Sequence, residues 1–301
     1  MKRWIGACAA LVLLLASLSA CGTDAGAEVN GSPVGAGVCL YFDDLARSED
    51  PDADEAARQA SADKMLAEYV AINAAFTSRG LSLTVVQKAE VSQTVNDLWR
   101  LFGDYYTNLG VTKQDLWKVK TSEAYKDAVM TDYYAADGDE PVGEATLQAY
   151  FSENYIAFQS ITGFLTTVDD SGNAVALSDT ERANIVTSFE NMASAIAGGS
   201  SVAEEAAKAS NTISNTETVV VSRADENYSD AFFEHVFAME NNTTSVFTDG
   251  DYVFLVLRED ITDTERNLFA DYRTDCLRTL KGEEFDAVVA AWAESYAVTR
   301  V

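Results

Sequence analysis

The sequence predicts an α+β fold in which a mixed segment lies between two helical blocks. Three observations carry this. Apolar residues recur at helical spacing from Met65 to Phe151, the period changes to strand-like alternation in "YIAFQSITGFLTTV", and helical spacing returns after residue 262. A further signal, Asp249-Gly250 between two alternating runs, marks a hairpin inside the mixed segment.

The first stretch precedes the fold. Lys2 and Arg3 are followed by an apolar run from Ile5 to Leu15 and by Ser17, Leu18, Ser19 and Ala20, the pattern of a secretory signal over residues 1–20. The run is shorter than the ~20 apolar residues that a permanent membrane helix requires. Leu18-Ser19-Ala20-Cys21 resembles a bacterial lipobox, which implies that Cys21 carries a diacylglyceryl group and becomes the mature N-terminus. Two acyl chains anchor a protein stably where one does not. The alternative is an ordinary secretory signal with an incidental cysteine. Residues 21–27 then form a short tether.

Composition narrows what the body can do. With 48% hydrophobic and 10% aromatic residues, the chain has enough apolar material for a real core. It carries 48 Asp and Glu against 21 Lys and Arg, a formal charge of −27. Such a surface repels phosphate backbones and anionic headgroups, so nucleic acid is not an expected partner. Cys39 and Cys276 are the cysteines beyond Cys21, and His235 is the single histidine, too few soft ligands for zinc. No metal or other cofactor is expected. The acidic run "DDLARSEDPDADE" fails as a calcium loop because Glu55 stands where the loop needs glycine and Ser61 where it needs a bidentate Glu. It reads as the solvated start of a helix. "GSPVGAGV" is glycine-rich, but no strand and helix are expected beside it to build a phosphate cradle.

In chain order, Met65, Tyr69, Ile72 and Phe76 predict a helix ended by Gly80. Val91, Val95, Leu98, Phe102, Tyr105 and Leu109 predict a second helix with one continuous core-facing stripe, stopped by Gly110. Thr112 with Asp115 starts a third, and Leu147, Tyr150 and Phe151 lie on a short fourth. After the strand at 155–168, Ser178 and Glu181 form a capping box for a helix carrying Ile185, Phe189, Met192 and Ile196. "SVAEEAAKAS" predicts a helix, "TETVVVS" a strand, "DAFFEHVFAME" an amphipathic helix and "TSVFTDGDYVFLVLRE" the hairpin. The order is β-α-α-β-α-β-β. Leu268, Tyr272, Cys276 and Leu280 then predict a helix before Gly282, and Phe285, Val289, Trp292 and Tyr296 another after it.

A strand after "VNG", a helical block, an α+β insert and closing helices resemble the PrsA/SurA-type extracytoplasmic foldases. "MLAEYVAINAAFTSRGLSLT", "GVTKQDLWK" and "VGEATLQAYFSENY" are similar to successive helices of that family, and "MENNTTSVFTDGDYVFLVLRE" to the closing hairpin of its parvulin-type peptidyl-prolyl isomerase domain. The resemblance implies a helical chaperone-like domain at 28–154, a parvulin-like domain at 155–261 and C-terminal helices at 262–301 that pack on the N-terminal lobe. It also implies unfolded or exported polypeptides as partners. Parvulins place one histidine on the first strand and one on the last, facing each other. Here those positions fall at Gly163 and Val253, so the resemblance implies a degenerate isomerase site with no catalytic residue. His235, on a helix beside the apolar face, is expected to be structural or exposed. The expected function is a membrane-anchored folding factor with a silent isomerase domain. An active isomerase working through pocket shape around Phe164 and Phe254 is the alternative, and a solute-binding lipoprotein a weaker one. In the family's architecture the N-terminal segment and C-terminal helix share a lobe, which makes Cys39 and Cys276 candidates for a disulfide. As small hydrophobes on apolar stripes, they read better as free buried thiols.

If Cys21 is the anchored residue, Cys21→Ser is expected to abolish detergent-phase partitioning or to leave the signal uncleaved. Unchanged retention and processing, read by phase separation and N-terminal mass, would refute the lipobox reading.

Overall fold

The computed structural model describes residues 25–169 and 171–301. Cys21 and the signal lie outside them. The chain divides into two compact units, one running to Tyr133 and resuming at Gly282–Val301, the other spanning Tyr134–Lys281.

The first unit is built on a small sheet and four long helices. Strands β1 (Ala25–Val29) and β2 (Ser32–Gly35) form a hairpin, and β9 (Val298–Arg300) pairs antiparallel with β1 on its other side. Asn30 and Gly31 turn the hairpin with φ of 49° and 75°, the doubly left-handed geometry that suits this pair. Asn30 also fastens the chain's other end. Its N–H donates to the Ala297 carbonyl at 3.0 Å, and its Oδ1 accepts from the Ala297 N–H at 3.0 Å. Gly26 is required by close approach, since a Cβ there would lie 2.7 Å from the Ala36 Cα.

Helix α1 (Ala36–Glu49) follows directly on β2. The glycine-rich stretch therefore does lie on a strand and a helix start, contrary to the sequence expectation. The Asp115 carboxylate stands where a side chain on Gly37 would be, so the acidic group, not an open cradle, fills that approach. Helix α2 (Glu55–Ser78) begins at Asp54, whose carboxylate accepts the Ala57 N–H at 2.8 Å, so the acidic run ends in an N-cap. Leu66 of α2 joins Ala27, Val29, Val34, Val38, Cys39 and Phe42 in one core. Helix α4 (Lys113–Tyr133) starts with the expected reciprocal bonds between Thr112 and Asp115.

Helix α3 (Val85–Leu109) departs from the single stripe. It has a capping box of Thr84 and Gln87, but Phe102 takes φ −129° and ψ 15°, which breaks the helix into two segments. Val91 and Val95 are buried, whereas Leu101, Phe102 and Tyr105 are at least half exposed. The kink changes the phase of the stripe, turning its second half outward.

The second unit begins with α5 (Glu144–Asn154), which runs into strand β3 (Tyr155–Phe164). Strand β3 is central in a four-stranded antiparallel sheet of order β6-β3-β8-β7, with β6 at Thr212–Ser222, β7 at Thr243–Asp249 and β8 at Tyr252–Glu259. Helices α6 (Asp179–Ala197) and α7 (Val202–Ala206) cover one face, packing Phe189, Met192, Ile196 and Val202 on Ile161 and Leu255. Helix α8 (Asp230–Ala238) covers the other through Phe232, Phe233 and Val236. The Ser178–Glu181 capping box forms as expected. The 155–168 run, by contrast, is split. Leu165 separates β3 from β4 (Thr166–Val168), which makes a small exposed hairpin with β5 (Ala174–Ala176).

Helix α9 (Leu268–Ala293) is continuous through Gly282, not two helices, and the division between the units falls within it. Cys39 and Cys276 are both free and buried. Cys39 packs in the core of the first unit, and Cys276 is fully buried in the second beside Tyr155. Burial pushes both thiols above the usual range.

Arg300 closes the first unit. Its guanidinium donates to Asp63 of α2 at 2.7 Å and to Asp43 of α1 at 2.8 and 3.3 Å. Removing it leaves two facing carboxylates without their shared cation. Arg300→Ala is expected to cost about 1–3 kcal/mol, because the three groups are only partly buried. Arg300→Lys should recover less than half of this, since an ammonium cannot fork both partners. Urea midpoints of the three proteins check it, and an unchanged midpoint for Arg300→Ala would rule the clamp out.

Candidate functional sites

Strands β3 and β8 bring Gly163 and Val253 directly opposite each other. The two positions singled out in the sequence are thus cross-strand partners. Neither offers a donor or acceptor side chain. Val253 is fully buried, and the space above Gly163 belongs to Phe189 of α6. A Cβ on Gly163 would lie 2.7 Å from Phe189 Cζ and 3.0 Å from Val253 Cγ1. The place where two facing polar side chains could stand is therefore continuous apolar core.

On the opposite face of the sheet, aromatic rings gather around α8. Phe232 lies 4.4 Å from Tyr228, 5.2 Å from Phe254 and 5.7 Å from Phe247, measured between ring centroids. Phe164 and Tyr252 continue this row at 5.7 Å. His235 is structural, as its place on the helix implied. Its ring stacks on Phe247 at 3.9 Å, and Nε2 is 2.8 Å from Ser245 Oγ. Phe247 pairs with Phe254, the neighbour of Val253, so His235 lies against the face of the sheet opposite the Gly163–Val253 pair.

The first unit holds a feature that the sequence reading missed. A cleft of about 380 Å³ opens between α1, α2, α4 and the C-terminal part of α9. One face of α2 supplies its longest wall, with Ser61, Met65, Glu68 and Ile72 at successive helical turns. Phe42 and Leu45 of α1, Val119 of α4 and Val289 of α9 complete an apolar floor. Its rim is charged, with Glu49, Lys64, Glu123 and Lys126. Met65 and Tyr69 pack on the core of the unit and also line this wall, beside Lys64 and Glu68, charges set four apart along the apolar stripe.

The rim charges are unevenly matched. Lys126 pairs with Asp286 at 2.7 Å and Glu123 with Lys120 at 2.7 Å. Among the described residues Glu68 pairs only with Lys64, at 3.7 Å. Loss of solvent around Glu68 raises its pKa above the usual carboxylate value, the cations Lys64 and Lys126 only partly opposing the shift. Burial likewise pushes the Tyr69 hydroxyl up to about 12, so it stays protonated as a donor at neutral pH.

The fit at Gly163 is testable. Gly163→Ala is expected to destabilise the chain by about 1–3 kcal/mol through overpacking. Combining it with Phe189→Leu should recover part of that loss, a coupling between touching residues. Additive effects of the two changes in denaturant titrations would show that Phe189 does not occupy this space.

No protein-family model matches the sequence. No curated protein matches it either. Among solved structures, the chain is similar to the foldase PrsA of Lactococcus lactis, with 12% identity over 92% of this chain and 95% of that one and a TM-score of 0.42. PrsA of Streptococcus pneumoniae matches at 14% identity over 75% of this chain and 80% of that one, with a TM-score of 0.40. A SurA-like chaperone of Campylobacter jejuni matches at 9% identity over 92% and 99%, with a TM-score of 0.28. These are similarities of layout at low scores, and no function of this chain follows from them.

Proposed function

We propose that this chain is an extracytoplasmic folding factor, lipid-anchored through Cys21 at the outer face of a bacterial membrane, that holds unfolded or exported polypeptides. The observation that carries this reading is the cleft in the first unit. It has an apolar floor, a charged rim and a volume of about 380 Å³, within the roughly 300–1,000 Å³ typical of ligand sites. Apolar side chains of a client would enter the floor while its backbone stays hydrated at the rim. The outward row Leu101, Phe102 and Tyr105 on α3 adds further apolar surface in the same unit.

The isomerase-like unit is silent in this reading. Rotation about an X-Pro bond faces a barrier of about 18–20 kcal/mol, and side chains that hydrogen-bond the twisting amide would help to lower it. Gly163 and Val253 provide none, and Phe189 closes the space between them. Residues 1–21 support the anchoring. Among the described residues, no helix is long and apolar enough to cross a membrane.

The mature chain is expected to delay aggregation of a chemically unfolded client when present at about equal concentration, as a site of this size holds one segment at a time. It should leave the cis–trans rate of an X-Pro peptide at the uncatalysed value, which is slow enough to follow directly. Light scattering and a protease-coupled peptide assay read the two outcomes. Isomerase turnover sensitive to substitution at Phe164 or Phe254 would replace the silent unit with an active one, and failure to delay aggregation would remove the holding role.

A further inference from the structure

We infer that the cleft of the first unit selects cationic amphipathic segments, in which large apolar side chains alternate with Lys or Arg. The inference rests on the polypeptide-holding reading and names its client class.

The geometry separates two demands. The floor, made by Phe42, Leu45, Ile72, Val119 and Val289, takes an apolar side chain. The wall above it presents Glu68 and the rim Glu49. Among the described residues Glu68 forms an ion pair only with Lys64, at 3.7 Å, a distance at which the pair is loose. Glu49 has no ion-pair partner among the described residues. The two lysines do not balance them, because Lys126 is already committed to Asp286 at 2.7 Å. Glu123, the third rim carboxylate, is satisfied from outside by Lys120.

The cleft is thus an apolar surface bordered by two under-neutralised carboxylates, one of them partly desolvated. A ligand ammonium or guanidinium would supply the missing charge while its neighbouring apolar side chain fills the floor. The stem of Lys or Arg can itself lie along apolar surface. An anionic segment would meet uncompensated like charge, and a neutral one would leave Glu68 as it is. The charge of the whole chain, −27, adds attraction at a distance and speeds the encounter. Distance attraction is diffuse and screened by salt, however, whereas recognition at the cleft depends on two named residues.

The test uses the mature chain and labelled peptides that share Leu and Phe positions and differ only in carrying Lys, Gln or Glu between them. Fluorescence anisotropy at about 150 mM salt suppresses the long-range term. The Lys peptide is expected to bind about ten-fold more tightly than the Gln peptide, the gain of a good charge pair. Glu49→Gln with Glu68→Gln should bring the two within about two-fold. Asp52→Asn with Glu90→Gln removes the same charge elsewhere in the unit and should preserve the preference. Ser61→Arg, which places a cation at the cleft wall, is a second variant that should also abolish it.

Equal binding of all three peptides would overturn the inference while leaving the holding role intact. Equal loss of preference in the two double variants would overturn it by assigning selectivity to the surface as a whole. No binding of any peptide would remove the holding role and the inference together.

Discussion

Arg300 sits between Asp43 and Asp63, and this one fork holds together residues 257 and 237 positions apart in the chain. The first unit depends on it because that unit is discontinuous. Its sheet is completed only when β9 adds to β1, and its helices α1 and α2 both carry a carboxylate that would repel the other without the guanidinium. A planar cation with several donors answers two carboxylates from different helices, which a lysine could not do as well. The Asn30 side chain acts beside it, bonding Ser295 and Ala297 just ahead of the strand. Entropy sets the scale of the task, since loop closure over such a span must be offset by contacts made at its ends.

In the second unit the governing constraint is packing. Strand β3 is buried on both faces, with α6 above and α8 below. Glycine at 163 lets Phe189 descend onto the sheet, and Val253 fills the remaining gap. A polar pair at these positions would need donors, acceptors and water in place of apolar contact. Core quality and a hydrogen-bonding site compete for the same volume, and here the core occupies it. The aromatic row from Phe158 to Tyr252 on the other face shows where this unit keeps its larger side chains.

The cleft in the first unit follows from the residues of α2. Ala67 and Ala71 let neighbouring elements approach closely on one side of that helix. On the adjoining side Ser61, Lys64 and Glu68 cannot be buried as core without strong pairing, so the walls stop short of closing. A helix with a short-side-chain face and a charged face thus produces both a tight joint and an open groove. The raised pKa of Glu68 records the groove's partial dryness.

Much of this was legible in local sequence, because local rules set it. Capping at Ser178–Glu181, the left-handed stops at Gly80 and Gly110 and the α+β order follow from spacing and turn chemistry, whereas the facing of Gly163 and Val253 across the sheet was implied only by the resemblance to a family. Residues 1–24, including Cys21, carry their message in sequence alone. Tertiary structure decided the rest. The kink at Phe102 turned half of an apolar stripe outward, although its spacing was perfect for burial. Gly282 stayed inside α9, since neighbouring packing outweighs one glycine's preference. Strand β9 is three residues long and forms only because β1 is there to pair with it. The cleft belongs to four helices at once, and no single stretch contains it. Periodicity fixes which face of an element is apolar; what that face meets, or fails to meet, depends on elements hundreds of residues away.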